Sequence, residues 1–227
     1  TSKIQTVLGP IDPEKLGVTL THEHLLWDPT EGFSPPSEAS MRDVYYKPLV
    51  TDHPGYPETL SLIRHATGNV NIDNCKLLSV STAIDQALLF KQFGGDSIVD
   101  TTSLGPARDP VGLARISRAT GLNVIMGASY YVGSSHPAEM DQITEDELFE
   151  NIVRDLTEGA DRTSIKPGII GEIGCTWPMT DNECKVLLAS GRAQKATGVP
   201  LHIHPGRDER APFHILDMLD GVGADLS

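Results

Sequence analysis

From residue 97 onward, short apolar runs alternate with longer segments in which apolar residues recur every three or four positions. The short runs predict strands, and the longer periodicity predicts amphipathic helices. Strands are predicted at about 18–26, 97–102, 123–131, 168–174 and 200–204. Helices are predicted at about 81–93, 110–119, 144–159, 180–196 and 211–219. Five strand-then-helix units in succession are typical of βαβ structure and a parallel sheet.

Two of the predicted helices begin with a capping box. In this motif a Thr side chain and a Glu three residues later satisfy N–H groups that the first helical turn leaves free. The pairs are Thr144 with Glu147 and Thr180 with Glu183. They predict where these two helices start.

The segments around the first strand differ from the rest of the chain. Residues 1–17 predict an N-terminal hairpin that turns near Asp12 and Pro13. Residues 27–79 are rich in Pro, Gly, Ser and Asp and separate the first strand from its helix. A loop of this length usually lines or covers a site. We interpret residues 1–227 as one, partial, barrel domain.

A parallel sheet with a helix after each strand is either an open doubly wound sheet or a closed eight-stranded barrel. The Gly-rich phosphate loop of a dinucleotide-binding open sheet follows none of the predicted strands. Polar, metal-competent residues stand instead at the C-terminal ends of several strands, as they do in barrel enzymes. The sequence therefore favours an α/β fold of the (β/α)8 TIM-barrel type, of which about five β/α units are present.

The first candidate site is the pair His22 and His24 at the end of the first strand. Residues two apart in a strand point to the same face, so the two imidazoles can chelate one divalent cation. A His-x-His pair alone is weak evidence, because many such pairs are surface or core histidines. A cupin site requires five residues between a Gly and the first His, but only four separate Gly17 from His22.

The second candidate is Glu172, near the end of an apolar strand and flanked by Gly171 and Ile173-Gly174. A carboxylate among buried residues is costly unless a cation or a metal compensates it. The alternative is a structural ion pair, for which Lys166 lies on the same strand face. Six residues of strand put that lysine about 20 Å away. We therefore favour Glu172 as a metal ligand.

The fifth strand ends in His202-Ile203-His204. His204 stands at the strand tip, where barrel enzymes hold their ligands, and is assigned to the metal. His202 points the same way but lies one layer deeper, about 6.6 Å along the strand. It is interpreted as a supporting or core histidine.

Two residues are candidates for contact with a substrate. Arg207 follows the fifth strand and could bind an anionic group through two hydrogen bonds. A surface ion pair with Asp208 or Glu209 is an equally good interpretation. Tyr130 ends the third predicted strand and is expected to line the same pocket.

Composition limits the partners. The net charge of −13 argues against nucleic acid and against an anionic membrane, which both require basic patches. The three cysteines lack paired spacing and are interpreted as reduced thiols, which predicts a cytoplasmic location. The expected partner is a small-molecule substrate, and a second copy of the chain in a homo-oligomer is also considered.

Several segments together resemble the phosphotriesterase family of the amidohydrolase superfamily, and within it the phosphotriesterase-related branch. They are Gln5–Gly9, Thr19–His24, Ser164–Lys166, Gly168–Pro178 and His204–Arg207. The resemblance covers essentially the whole chain, and the segment around Glu172 is the most specific part of it.

The resemblance implies an eight-stranded barrel with two divalent ions, most often zinc. His22 and His24 would bind one ion, His204 the other, and Glu172 would bridge them and position the attacking hydroxide. Better-known phosphotriesterases have a carbamylated lysine in place of Glu172. The family also uses a histidine on strand six and an aspartate on strand eight. The sequence stops before those strands, so we expect a C-terminally truncated chain.

Three functions follow as hypotheses. The first is hydrolysis of an amide or ester bond by water that two zinc ions activate, in a small N-acyl amino compound such as N-acetyltaurine. The second is hydrolysis of a lactone or a phosphotriester. The third is an inactive metal-binding fragment or isoform, because five of eight strands leave two open sheet edges. We expect such a chain to associate or to fold poorly alone.

Overall fold

The computed structural model describes residues 3–30 and 71–226, with isolated positions 36, 39, 42 and 43 between them. The strands are β1 (Ile4–Thr6), β2 (Gly9–Ile11), β3 (Thr19–Glu23), β4 (Ser97–Asp100), β5 (Asn123–Ala128), β6 (Ile169–Gly174) and β7 (Leu201–His204). The helices of at least ten residues are α1 (Val80–Gln92), α2 (Pro110–Thr120), α3 (Glu145–Thr157), α4 (Asp181–Thr197) and α5 (Ala211–Gly221). Most of the loop predicted at 27–79 lies outside the described residues.

Strands β3 to β7 form one parallel sheet in the order β3-β4-β5-β6-β7. Each strand pairs with the next one along the chain, and a helix follows each strand. A doubly wound sheet would reverse its order at a switch point, whereas this order is that of a barrel wall. The predicted fold class is confirmed: the chain forms five strands of a (β/α) half-barrel.

The N-terminal hairpin has a different turn from the predicted one. β1 and β2 pair antiparallel, with Thr6 opposite Gly9, so the turn lies at Val7 and Leu8. The Thr6 hydroxyl closes this turn by donating to the Gly9 carbonyl oxygen at 2.7 Å. Pro13 instead opens a short 3-10 helix, where its missing N–H costs nothing. The prediction of a turn at Asp12-Pro13 was therefore wrong.

The central strands end earlier than the apolar pattern predicts. β5 stops at Ala128, because Ser129 has a φ of 77° and leaves the extended conformation. The prediction carried this strand on to Tyr131. This early end changes which of the two neighbouring tyrosines points into the barrel.

Both predicted capping boxes are present, at Thr144 with Glu147 and at Thr180 with Glu183.

Apolar side chains between the sheet and the helices form two buried clusters, one around β6 and α4 and one around β4 and α2. Along the described stretches of chain, none of the helices combines the length and the apolar character needed to cross a bilayer.

Candidate metal centre

The predicted metal ligands converge at the C-terminal ends of the strands. His22 lies in β3, His24 directly follows it, Glu172 lies in β6, and His204 is the last residue of β7. The Glu172 carboxylate is 3.1 Å from His24 Nε2, 3.4 Å from His22 Nε2 and 3.1 Å from His204 Nδ1. The structure thus brings the three imidazoles together around the Glu172 carboxylate.

The Glu172 carboxylate is buried, with only 1% of its side chain exposed. Burial alone would raise the pKa of Glu172, but hydrogen bonds from His204 and His24 outweigh it and lower this pKa to about 2. The carboxylate is therefore ionised at neutral pH. Its backbone is held by an N–H that donates to the Thr101 carbonyl oxygen at 2.9 Å.

Gly171 allows β6 to carry this carboxylate so close to β7. Its φ is +135°, which an L side chain rarely adopts, and an added Cβ would lie 2.0 Å from the His202 carbonyl oxygen. The glycine before Glu172 therefore serves the close approach of two strands.

Thr102 fixes the orientation of His24. The His24 Nδ1 donates to the Thr102 hydroxyl at 2.9 Å, and that hydroxyl donates in turn to the Leu26 carbonyl oxygen at 3.1 Å. Because Nδ1 carries this proton, the Nε2 of a neutral ring presents a lone pair to the Glu172 carboxylate. Two acceptors 3.1 Å apart require either a second proton on the ring or a cation between them.

His202 supports His22 directly. The Nδ1 of His22 and the Nε2 of His202 share a hydrogen bond of 2.9 Å. Burial is the largest cause of the lowered pKa of His202, and the neighbouring His22 lowers this pKa further. The residue predicted to lie a layer below the site is thus the hydrogen-bond partner of a candidate ligand.

The donor set fits a divalent ion. One ligand atom from each of His22, His24 and Glu172 lies within 4.8 Å of the other two. Ligands about 2.1 Å from a tetrahedral ion are about 3.4 Å apart, close to the distances between Glu172 and these rings. Imidazole and carboxylate are ligands that zinc and related ions accept. His204 stands outside this close group but contacts the same carboxylate.

The tyrosine of the site is Tyr131, and the prediction of Tyr130 is corrected. The Tyr131 hydroxyl lies 3.3 Å from His204 Nδ1, whereas the buried Tyr130 points to the helix layer, where it interacts with Asn151. Burial, with a contribution from Glu172, raises the pKa of Tyr131 to about 12. Tyr131 is therefore a protonated donor at neutral pH.

Trp27 completes an aromatic wall. Its ring centroid is 4.1 Å from that of His24 and 5.5 Å from that of Tyr131. Sequence reasoning missed this residue, since a lone Trp after a strand carries no ligand signal. The wall covers one side of the histidine cluster.

Arg207 is exposed, and among the described residues it forms no ion pair with Asp208 or Glu209, the alternative to its functional role. Asp208 binds Arg210 instead, at 2.9 Å. The positive charge of Arg207 acts on Tyr131, where it partly offsets the rise in the pKa of the tyrosine. Its role as a substrate contact stays a prediction.

Glu183 connects the loops around the site, a role that its capping box did not reveal. Its buried carboxylate accepts from the Gly133 N–H at 2.8 Å, from the Thr176 hydroxyl at 2.6 Å and from the Thr180 N–H at 2.9 Å. Burial would raise the pKa of Glu183, but these hydrogen bonds outweigh it and lower the pKa. The loop that follows Tyr131 is thereby tied to the loop that follows β6.

Asp100 holds the segment that follows His24 and was also missed. It accepts from the Leu25 N–H at 2.7 Å and from the Thr102 N–H at 3.1 Å. Burial raises the pKa of Asp100 to about 6, although these hydrogen bonds oppose the rise.

Imidazoles and a carboxylate gather at the C-terminal ends of the strands of this half-barrel, the face at which barrel enzymes keep their sites. The chain belongs to the phosphotriesterase family, whose model matches residues 2–227. The family predicted from the sequence is thus confirmed.

The N-acetyltaurine hydrolases of Xenopus tropicalis and Homo sapiens are 42% and 40% identical to the chain over 226 residues. Each alignment covers 99% of the chain and 62% of the relative. A crystal structure of a resiniferatoxin-binding protein from Rhodobacter sphaeroides is 40% identical, with a TM-score of 0.89, and the match covers 99% of the chain and 61% of that protein. The chain therefore spans less than two thirds of the length of these relatives.

Proposed function

We propose that the chain provides most of one half of a metal-dependent hydrolase site. One observation carries this proposal: a buried, ionised carboxylate is surrounded by three imidazoles, at distances of 3.1 to 3.4 Å. A structural ion pair would use a lysine or an arginine, which binds a carboxylate without the precise arrangement of several rings. Imidazoles around a carboxylate are the ligand set of a catalytic metal site.

We further propose two divalent ions, zinc by preference, as the cofactors. The support is that Glu172 uses both carboxylate oxygens: Oε1 is near His24, and Oε2 is near His22 and His204. Glu172 and these three histidines would hold the ions. When bound, such ions lower the pKa of a coordinated water and polarise the bond to be cleaved.

The residues of the chain have separate tasks in this proposal. Thr102 and His202 keep the rings of His24 and His22 in their ligand orientation, as second partners of metal-binding histidines do. The protonated Tyr131 hydroxyl offers a hydrogen-bond donor to the oxygen of the scissile group. Arg207 attracts an acidic group of the substrate from the rim.

The proposed substrate is a small N-acyl amino compound such as N-acetyltaurine, cleaved at its amide bond. The names of the two relatives described above support this choice, and an exposed Arg207 suits the negatively charged end of such a molecule. Hydrolysis of a lactone or a phosphotriester is the alternative, since the same metal chemistry serves all three bonds.

The test combines metal analysis with a substrate panel. The 227-residue chain is loaded with zinc, and bound metal is measured for the wild type, for His22→Ala and for His214→Ala, a control histidine on α5. Release of taurine from N-acetyltaurine is then compared with hydrolysis of a lactone and of a phosphotriester.

We expect zinc to bind to the wild type and the control but not to His22→Ala, and any turnover by this half-site to be highest with the N-acetyl compound. Zinc binding without turnover of any substrate would favour a metal-binding chain that is not catalytic. Equal zinc binding by all three proteins would overturn the metal centre itself.

A further inference from the structure

We infer a second ligand site, for a small oxyanion such as phosphate, at the N-terminal end of the sheet. A cavity of about 470 Å³ lies there between the hairpin and the segment that precedes β6. We call it the basic pocket; the lining residues used below are Gln5, Leu8, Gly9, Arg118, Ser164 and Lys166.

The basic pocket lies at the opposite end of the strands from the metal centre. The hairpin is fastened to the start of β5, where the Val7 N–H donates to the Val124 carbonyl oxygen at 2.9 Å. Lys166 precedes β6, so about 20 Å of strand separates it from Glu172. The walls of the basic pocket belong to neighbouring β/α units in the middle of the sheet, away from the edge strands β3 and β7.

The charge of this pocket is opposite to that of the chain. The chain has 31 acidic and 18 basic residues, yet the residues described around the pocket include Arg118 and Lys166 and no carboxylate. Arg108, by contrast, is paired with Asp155 and Asp161. Within the described part of the chain, neither Arg118 nor Lys166 has an ion-pair partner. Two such cations beside one cavity attract an anion.

The available donors match an oxyanion. A guanidinium binds two oxygens of a phosphate in parallel, and an ammonium group binds it as a point charge. Ser164 also lines the pocket, and its hydroxyl can donate a further hydrogen bond. The exposed Leu8 lies on the rim, and the volume leaves room for a small organic group attached to the anion.

Two segments that carry the family resemblance meet in this pocket. Gln5–Gly9 and Ser164–Lys166 are 155 or more positions apart in the sequence, and neither contributes a side chain to the metal centre. Both line the basic pocket. A ligand site at this end explains why the two segments leave a cavity open between them, lined by hydrogen-bond donors and a cation, instead of filling it with side chains.

The test is a titration of the full 227-residue chain with inorganic phosphate at low ionic strength, after a chelator has removed metal ions. Binding is followed by the amide NMR shifts of residues 5–9 and 164–166. The variants are Arg118→Ala and Lys166→Ala, and Arg115→Ala serves as a matched control. Arg115 lies one turn earlier on α2, is also exposed, and does not line the pocket.

We expect saturable shifts at both segments, with an affinity about 10-fold lower in Arg118→Ala and in Lys166→Ala, because each variant loses one charged group that contacts the anion. Arg115→Ala should stay within about 2-fold, and Lys166→Arg should keep most of the affinity. A parallel titration with glycerol phosphate identifies the source: tighter binding indicates an organic phosphate, and equal binding indicates the free ion.

Shifts that are absent, or that Arg115→Ala weakens as much as Arg118→Ala does, would overturn the inference. Thermal melting of each variant distinguishes loss of the site from loss of the fold. If Arg118→Ala or Lys166→Ala melts like the wild type and still binds phosphate with the same affinity, this result also counts against the site. The result is independent of the metal centre, because the protein is tested without metal.

Discussion

At the C-terminal ends of the strands, one buried carboxylate gathers imidazoles from β3 and β7, whereas at the N-terminal ends the basic pocket gathers two cations. The difference follows from the parallel sheet. Loops that leave the C-terminal ends meet at one mouth, so side chains from distant strands can share an ion there. At the N-terminal ends, the strand connections do not enclose the basic pocket by themselves, and the N-terminal hairpin supplies one of its walls.

The two ends are also braced differently. Around the metal centre, Glu183 and Asp100 hold the loops through hydrogen bonds to buried carboxylates. At the hairpin, the contact is close backbone packing: a Cβ on Gly168 would lie 2.2 Å from the Gln5 carbonyl oxygen. Changes at one end should therefore leave the other end intact, and the following predictions test this.

Glu172→Gln should have the largest effect. The amide keeps the shape of the side chain but loses the charge that holds the ions, so zinc affinity should fall by more than about 100-fold. A competitive zinc titration measures this, with the exposed Glu209→Gln as control. Phosphate binding at the basic pocket should not change; a parallel loss there would break the separation of the two ends.

Glu183→Ala should lower the free energy of unfolding by about 2 to 3 kcal/mol, because it leaves the Gly133 N–H and the Thr180 N–H without their acceptor. Glu183→Gln keeps the size of the side chain and should cost about 1 kcal/mol. Urea unfolding measures both. Glu147→Ala is the matched control, since it removes a capping-box Glu that is exposed and joins no second loop.

The same residue gives a pH dependence. The lowered pKa of Glu183 means that its stabilisation is complete above the unfolded value of 4.5 and is lost as the pH falls through its lower folded pKa. Wild type and Glu183→Gln should therefore differ most near neutral pH and converge in acid. A difference that grows on acidification would contradict this.

Gly168→Ala should lower the free energy of unfolding by about 2 kcal/mol, because the hairpin backbone has to move away from the new methyl group. Gly221→Ala, where an added Cβ meets nothing within 4 Å, is the control and should be neutral or slightly stabilising. Zinc affinity should stay unchanged in both. Weakened zinc binding in Gly168→Ala alone would show that the hairpin supports the metal centre.

Thr102→Val should have the smallest effect, lowering zinc affinity about 10-fold by removing the acceptor that orients His24. Thr102→Ser retains the hydroxyl and should bind zinc like the wild type. Isothermal titration with a competing chelator distinguishes the two variants. Equal affinities would mean that the ring of His24 is held by its packing against Trp27.

Features that depend on neighbours within a few positions could be predicted from the amino-acid order alone. The apolar runs locate the strands of the half-barrel, and the Thr144 and Thr180 motifs locate two helix starts. His22, His24, Glu172 and His204 could be selected as candidate ligands because residues two apart on a strand share a face, a carboxylate in an apolar strand needs a compensating charge, and barrel sites lie at strand tips.

Which distant side chains meet could not be predicted in this way, because it depends on the folded domain. The φ of 77° at Ser129 turns Tyr131 rather than Tyr130 toward His204, and no periodicity reveals such a local reversal. Glu183 looks like a capping residue in the sequence, but its second loop lies fifty positions away. Arg118 and Lys166 share a cavity because the chain passes from α2 through β5 and back before β6. Such contacts depend on strand register and on how the chain crosses the sheet, and these are set by the packing of the whole domain.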